Sequence, residues 1–351
     1  MKIHSSEIKK IGIFRSLQLG DMITIIPAAR ALRAAYPAAE ITLLGLPWAA
    51  SFVKRFCQYF DRFIPFPGYP GLPEQSFDKL SYEAFLLNIK NESFDLLLQM
   101  QGNGTIVNEM MQEWNAKYLA GFYNKDSFIN SGLFMLYPDY GSEIWRHLLL
   151  MQHLALPLQG DHLAFPINEE DEQQFEKMDL LLEKKTYVCV HPGSRGAWRQ
   201  WPPQHFAKIA DSCAQQGLTV LITGTADEVD ITQAVQQHMR FDALDLTGQT
   251  SLGAMAVLIK NAWCLIANCT GVSHMASATA TPSIIISMDG EPERWSPLNK
   301  NIHFVTDWTK HPDVNLPHQQ LKNLFKNEPF GIKEIKAKRK VSEDAGRWLS
   351  N

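Results

Sequence analysis

Cysteine is scarce in this chain, and the few present are not spaced for a disulfide framework or a metal site. The five cysteines are odd in number and scattered, and most lie in apolar runs: Cys57, Cys189, Cys213, Cys264 and Cys269. No Cys-x-x-Cys pair or closely spaced histidine pair is present. We therefore predict a reduced, cytoplasmic protein without a metal or other cofactor.

Long apolar runs and a leader pattern are also missing. Each apolar stretch is interrupted well before the roughly 20 residues of a membrane span, and the N-terminal "MKIHSSEIKKIGIF" lacks the apolar core of a signal peptide. The last segment, "GIKEIKAKRKVSEDAGRWLS", carries many Lys and Arg residues on a helical pattern. It predicts a solvated surface helix, with peripheral contact to the anionic inner face of the inner membrane as the sharper alternative.

The chain has no excess of positive charge. Its net charge of -4 argues against general nucleic-acid binding. At 351 residues, with 45% hydrophobic and 20% charged residues, it is long enough for about two domains that each bury a core.

Apolar strands alternate with amphipathic helices in the N-terminal half. The pattern predicts strands at Lys10–Phe14, Glu40–Gly45, Arg62–Pro67 and Asp95–Met100, and helices near 22–36, 48–60, 76–92 and 142–155. Alternation of this kind is typical of βαβ units in a parallel sheet.

A second alternation follows a charged segment near Pro157–Lys185. Strands are predicted at Tyr187–Val190, Leu218–Thr223, Leu244–Leu246, Cys264–Asn268 and Ser283–Ser287, with helices near 204–216, 228–239, 251–262 and 272–280. We predict an N-terminal domain (1–165), a connection (166–186), a C-terminal domain (187–325) and a basic tail (326–351).

Polar and glycine-rich loops follow the predicted strands, where open parallel sheets bind ligands. In "HPGSRGAWRQWPP", Ser194 offers a hydroxyl, and Arg195 and Arg199 offer charge to a diphosphate. The turn Thr270-Gly271 in "NCTGVSH" precedes a helix whose N-terminus favours phosphate. As alternatives without a ligand, Arg195 and Arg199 are two exposed arginines of a solvated loop, and Thr270 is an ordinary N-cap.

Acidic residues stand at two further strand ends. Asp21 closes the loop "RSLQLGD", where it is either an N-cap or a functional acid. Glu228 is placed to accept ribose hydroxyls or is a plain first-turn acid. Cys269 and His274 also allow a thiol nucleophile with its base, the weakest of these hypotheses. Neither a Walker loop nor a Gly-x-Gly-x-x-Gly fingerprint is present, which disfavours kinases and dehydrogenases.

Taken in order, five segments resemble glycosyltransferase family 9, the heptosyltransferase-like enzymes of lipopolysaccharide synthesis. They are "LGDMITIIPAARALRAAYP", "HPGSRGAWRQWPPQHFAKIA", "LTGQTSLGAMAVLIKNA", "NCTGVSHMASATATP" and "EPERWSPL", within residues 10–300. The resemblance implies an α/β GT-B architecture of two Rossmann-like domains whose parallel sheets face an interdomain cleft. It also implies inverting, metal-independent transfer from a nucleotide-diphosphate sugar, ADP-heptose by family habit, to a lipopolysaccharide-core or related glycan.

The same resemblance implies roles for the donor-side residues of the C-terminal domain. Arg199, two residues before Trp201, is expected at the donor phosphates. Thr270-Gly271 is expected to hold the diphosphate with His274 close by, and Glu228 to lie at the nucleoside.

On the acceptor side, the resemblance makes Asp21 the general base. It places Gln101 and Gly102 at the acceptor.

This chain departs from the family pattern at two positions. Arg199 stands where Lys is more usual, which keeps the charge. Cys269 stands where relatives commonly carry an Asp expected to bind the donor sugar, and a thiol is a poor acceptor. A non-catalytic or altered-donor GT-B relative, or a GT-B nucleotide-sugar epimerase, is therefore the alternative function.

Overall fold

The computed structural model describes residues 7–126 and 132–327, and the chain divides into two α/β units between Pro166 and Ile167. In the first unit, the strands are β1 (Lys10–Phe14), β2 (Glu40–Gly45), β3 (Arg62–Pro65), β4 (Leu96–Gln99), β5 (Tyr118–Tyr123) and β6 (Phe134–Leu136). Its helices are α1 (Leu19–Thr24), α2 (Ile26–Ala35), α3 (Ala49–Arg55), α4 (Lys79–Glu92), α5 (Val107–Gln112) and α6 (Glu143–His153).

The second unit repeats this alternation. Its strands are β7 (Tyr187–His191), β8 (Thr219–Ile222), β9 (Leu244–Asp245), β10 (Cys264–Asn268), β11 (Ser283–Ser287) and β12 (His303–Asp307). Its helices are α7 (Glu169–Glu176), α8 (Pro203–Gln215), α9 (Val229–His238), α10 (Leu252–Asn261), α11 (Gly271–Ala278), α12 (Pro292–Trp295) and α13 (Asn315–Asn327). Short 3₁₀ helices occupy Ala197–Arg199 and Ala226–Glu228.

Both sheets are parallel and share one strand order. The first runs β3-β2-β1-β4-β5-β6, and the second runs β12-β11-β10-β7-β8-β9. With its strands counted from β7 and read from the opposite edge, the second sheet has the same order as the first. This order places a topological switch point between β1 and β4 in one unit and between β7 and β10 in the other. Ligands of open α/β sheets bind outside the carboxyl ends of the strands at such points.

The central strands are apolar because helices cover both faces of each sheet. Residues 11–14 of β1, and β10 and β11 throughout, are buried. In the first unit, an aromatic cluster under the sheet packs Phe14 edge-on against Phe66 (4.9 Å between ring centroids) and Trp114 (5.3 Å). Trp201, 0% exposed, lies in the corresponding core of the second unit. These cores hold the strand ends in place.

The structure differs from the sequence predictions in several elements. The helix predicted near 22–36 is two helices, because Pro27 in the first turn of α2 supplies no amide hydrogen to the preceding turn. Strands β5, β6 and β12 were not predicted. Part of the predicted connection 166–186 is helix α7, which packs against α10 in the second unit. The predicted basic tail begins at 326 and lies almost wholly outside the described residues.

Across the ranges 7–126 and 132–327, no helix combines the length and the apolarity needed to span a bilayer. The predicted membrane-surface contact of the tail stays a prediction.

Candidate functional site

Asp21 lies in the loop and helix that follow β1. It is the third residue of α1, whose N-cap is Gln18, so the interpretation of Asp21 as an N-cap is wrong. Its side chain is 25% exposed, and its Oδ1 lies 3.8 Å from Nη2 of Arg15. A carboxylate at this switch point, accessible to solvent and beside a cation, can accept a proton from a bound hydroxyl.

Arg15, the residue directly after β1, is completely buried. Its Nε donates to the backbone carbonyl of Asp21 (2.9 Å), and Nη1 donates to the carbonyl of Met100 beyond β4. From α6, Glu143 accepts from Nη2 (3.2 Å) and His147 Nε2 lies 2.9 Å from Nη1. The contacts of Arg15 with Glu143 and His147 were not predicted from sequence, because α6 lies more than a hundred residues after β1.

Gln101 follows β4 and is nearly buried. Its Oε1 accepts a hydrogen bond from the backbone N–H of Ser16 (2.6 Å), which ties the loop after β4 to the loop after β1. Gly102 is in the left-handed region with φ of 59°. Both therefore lie at the switch point of the first sheet, and Gln101 has a structural role there.

In the second unit, the loop after β7 carries Ser194 and Arg199. The Ser194 hydroxyl is buried and has no hydrogen-bond partner among the described residues. Arg199 ends a 3₁₀ helix, and its guanidinium lies 5.4 Å from the centre of the Trp198 ring. Arg195 in the same loop is exposed.

Asn268, the last residue of β10, fastens this loop. Its amide nitrogen donates to the carbonyl of Pro192 (2.7 Å), and its oxygen accepts from the backbone N–H of Trp201 (3.0 Å). Buried polar groups that are fully paired in this way hold one conformation. Asn268 was inside a predicted strand and was not assigned a role from sequence.

Asp289, just beyond β11, pairs with Arg199 and was also missed. Its Oδ1 accepts from the Ser287 hydroxyl (2.8 Å) and from the backbone N–H of Glu291 (3.2 Å). Burial raises the pKa of Asp289, but the hydrogen bond from Ser287 and the charge of Arg199 outweigh it and hold the pKa below its usual value. The carboxylate is thus ionised at neutral pH and orients the guanidinium.

Glu228 lies beside the loop after β7. Its Oε2 accepts from the backbone N–H of Thr225 (2.8 Å) in a capping box. Stabilising this helix start, as an acid in a first turn does, is therefore one of its roles. The carboxylate packs on Gly193, where an added Cβ would come within 2.1 Å of it. Oε2 also lies 3.8 Å from Nε2 of His191, whose pKa is lowered by burial despite that neighbouring charge.

Thr270 and Gly271 begin helix α11. Thr270 holds the N-cap position, as the alternative without a ligand predicts, but its side chain makes no cap hydrogen bond. First-turn amides with no side-chain cap can bind an anion. His274 lies on the next turn, with its ring centroid 6.4 Å from that of Trp295.

Cys269 is buried between β10 and α11. Its Sγ contacts the Trp295 carbonyl at 3.8 Å, and burial, aided by the charge of Asp289, raises the pKa of this thiol to about 12. A thiol protonated at neutral pH is a poor nucleophile. The thiol-and-base hypothesis for Cys269 and His274 therefore loses support.

We expect iodoacetamide at pH 8 to alkylate Cys57 and to spare Cys269 in the native protein. Cys57 is exposed, whereas Cys269 is buried and stays protonated until the pH approaches its raised pKa. Peptide mass spectrometry after short labelling measures both sites at once, and labelling in urea is the control for intrinsic reactivity. Equal native labelling of the two would contradict the buried, protonated thiol.

Metal ligands do not cluster in the part of the chain that the structure describes. Within those ranges, no group of three or more His, Cys, Asp or Glu side chains is arranged to hold a metal ion.

The family model "Glycosyltransferase family 9 (heptosyltransferase)" matches residues 84–322. Lipooligosaccharide heptosyltransferase 2 of Haemophilus influenzae is 30% identical over 132 residues, which are 36% of this chain and 38% of that enzyme. The match thus spans less than half the length of that relative.

Two solved structures show the same fold. A family 9 glycosyl transferase from Veillonella parvula has a TM-score of 0.72 at 18% identity, covering 90% of each chain. The E. coli ADP-heptose lps heptosyltransferase II has a TM-score of 0.67 at 18% identity, covering 85% of this chain and 90% of that one. The predicted α/β GT-B fold of two Rossmann-like domains is confirmed. Because the family model covers more than half of the chain, the predicted enzyme class is confirmed too: the chain belongs to glycosyltransferase family 9 (heptosyltransferase).

Proposed function

We propose that this protein transfers a heptose-like sugar, with inversion, from an ADP-linked donor to a lipopolysaccharide-core or related glycan. The family supports sugar transfer. The choice of ADP-heptose is supported by the structural similarity to the E. coli ADP-heptose lps heptosyltransferase II. The reaction is proposed to need no metal ion.

The observation that carries the proposal is the buried, unpartnered hydroxyl of Ser194 at the switch point between β7 and β10. A buried hydroxyl without a partner costs about 1–3 kcal/mol, which a ligand oxygen would relieve. Arg199 follows on the same loop, and the amides of α11 begin one strand away. Together they supply a hydroxyl, a cation and a helix N-terminus, a donor set suited to a diphosphate.

The remaining donor contacts are assigned to neighbouring side chains. Glu228 is proposed to accept ribose hydroxyls through Oε1, since Oε2 already accepts from Thr225. His274 is proposed to lie beside the diphosphate held by Thr270-Gly271. Cys269 would contact the donor sugar as an apolar, protonated thiol.

Asp21 is proposed as the general base. It takes the proton from the acceptor hydroxyl as that oxygen attacks the anomeric carbon and the bond to the diphosphate breaks. Arg199 and the α11 amides stabilise the charge that develops on the leaving diphosphate. Gln101 and Gly102 would contact the acceptor, with the Gln101 amide nitrogen as the contacting group because its oxygen binds Ser16.

Calorimetric titration with ADP, GDP, UDP and CDP, each with and without magnesium, tests the donor assignment. We expect selective ADP binding that does not require magnesium. Preference for UDP or GDP would contradict the ADP-linked donor, and loss of binding without magnesium would contradict the metal-free site. Absence of binding to all four nucleotides would favour a non-catalytic relative. Cys269, which stands where relatives commonly carry Asp, is the reason to consider that alternative.

A further inference from the structure

Arg15 is a buried cation held from several sides. It is 0% exposed, and its guanidinium contacts groups at the end of β4 (Met100), in α1 (Asp21) and in α6 (Glu143 and His147). Removing a guanidinium from water costs several kcal/mol, which only good partners offset. A polar residue at the surface can end a strand without this desolvation cost. The burial of Arg15 therefore points to a role beyond ending β1.

Glu143 lies at the centre of the polar groups around Arg15. Glu143 shares Oε1 between Arg15 (3.2 Å) and His147 Nε2 (3.3 Å), and its Oε2 lies 3.4 Å from Arg146. His147 Nε2 lies 2.9 Å from Arg15 Nη1 and 3.3 Å from Glu143 Oε1, so the imidazole ring packs against both charged groups. With Asp21 included, two guanidiniums face two carboxylates.

The Arg15 guanidinium lies at different distances from the two carboxylates. Nη2 lies 3.2 Å from Glu143 but 3.8 Å from Asp21, while Nε holds the backbone carbonyl of Asp21 at 2.9 Å. The guanidinium thus fixes the first turn of α1 through the main chain. Glu143 is the nearer carboxylate, and the ion pair of Arg15 with Asp21 is the longer one.

We propose that Arg15, held by Glu143 and His147, is a positioning residue that fixes the Asp21 carboxylate for proton transfer from the acceptor. This inference rests on the proposed function. It assigns to α6 the role of orienting a loop that follows β1, more than a hundred residues earlier in the chain.

Arg15→Lys tests the proposal, because lysine keeps the charge but cannot place donors on all four partners in the plane of a guanidinium. The assay is ADP release from ADP-heptose with a lipopolysaccharide inner-core oligosaccharide as acceptor. We expect kcat to fall about tenfold or more, since small misplacements of a reacting group have large effects. Donor KM and the calorimetric Kd for ADP should stay within twofold, because the proposed ADP contacts lie in the second unit.

Arg62→Lys is the matched control. Arg62 also pairs with two carboxylates in the first unit, Glu40 and Glu92, each at 2.9 Å, but has no contact with Asp21. We expect its kcat to stay within twofold of the unsubstituted protein.

A double-mutant cycle separates positioning from a general structural role. In the Asp21→Asn background, Arg15→Lys should lower the residual rate less than twofold, because the group that it positions is gone. An equal loss in both backgrounds, or an unchanged kcat in the single variant, would overturn the proposal.

Glu143→Gln is the second variant should Arg15→Lys not fold. Without the Glu143 charge, Arg15 pairs more closely with Asp21, and we expect kcat to fall at least threefold with ADP affinity unchanged. An unchanged kcat here would also overturn the inference. If the unsubstituted protein released no ADP while binding it, the proposed function would fail instead.

Discussion

Asp21→Asn lowers kcat for sugar transfer by about a hundred- to ten-thousand-fold, the usual contribution of a general base. Asparagine keeps the size of the side chain and its place in the first turn of α1 but cannot take the proton. Donor binding should persist, with the Kd for ADP within twofold, because the proposed donor contacts lie in the second unit. Initial rates of ADP release and calorimetry on the same preparation measure both quantities.

Asp61→Asn is the control for this prediction. Asp61 lies just before β3, at the amino end of the strands, where it accepts from the backbone N–H of Ile41 (2.7 Å) and pairs with Arg33. The same substitution there should leave kcat within twofold. Undiminished turnover of the Asp21 variant would refute the base assignment.

Arg199→Met has the second-largest expected effect. Methionine keeps the apolar stem but removes the donors proposed to bind the diphosphate. Charge-assisted hydrogen bonds contribute about 1.5–3 kcal/mol, so we expect the Kd for ADP to rise by about 10- to 100-fold. We expect kcat to fall by about 10²- to 10³-fold, as when an oxyanion donor is removed. Calorimetry and saturation kinetics separate the two effects.

Arg195→Met is the matched control in the same loop. Arg195 is exposed and lies four residues earlier, so its removal should change ADP affinity less than threefold. Loss of binding in the Arg195 variant with retention in the Arg199 variant would assign the phosphate contact to the other arginine.

The strands of the central sheets could be predicted from sequence with good accuracy. Four of them, β1, β2, β10 and β11, have the predicted bounds, because buried parallel strands are short apolar runs between polar loops. The pattern fails at β12, whose sequence "HFVTD" is only partly buried, and at β5, where Gly121 interrupts the apolar run. These two strands show neither the continuous apolar run of a buried strand nor the strict alternation of a half-buried one.

The candidate site was predictable only in part. Asp21, Ser194, Arg199 and Thr270 could be proposed from sequence because they lie in the segments that follow strands, and strand ends can be located along the chain. Asp289 could not be paired with Arg199 from sequence, since 90 residues separate them. Glu143 and His147 likewise could not be predicted as partners of Arg15. An acid and a histidine on a helix give no sequence signal that shows which other element packs against them.

The sequence by itself determined the repeated strand-helix alternation, the family and the loops that hold the proposed site residues, because each of these depends on residues that are close together in the chain. Tertiary structure alone decided which side chains share a site. Parallel strands from distant parts of the chain end at the same edge of a sheet, and that packing brings Asn268 to Trp201, Asp289 to Arg199 and α6 to Arg15.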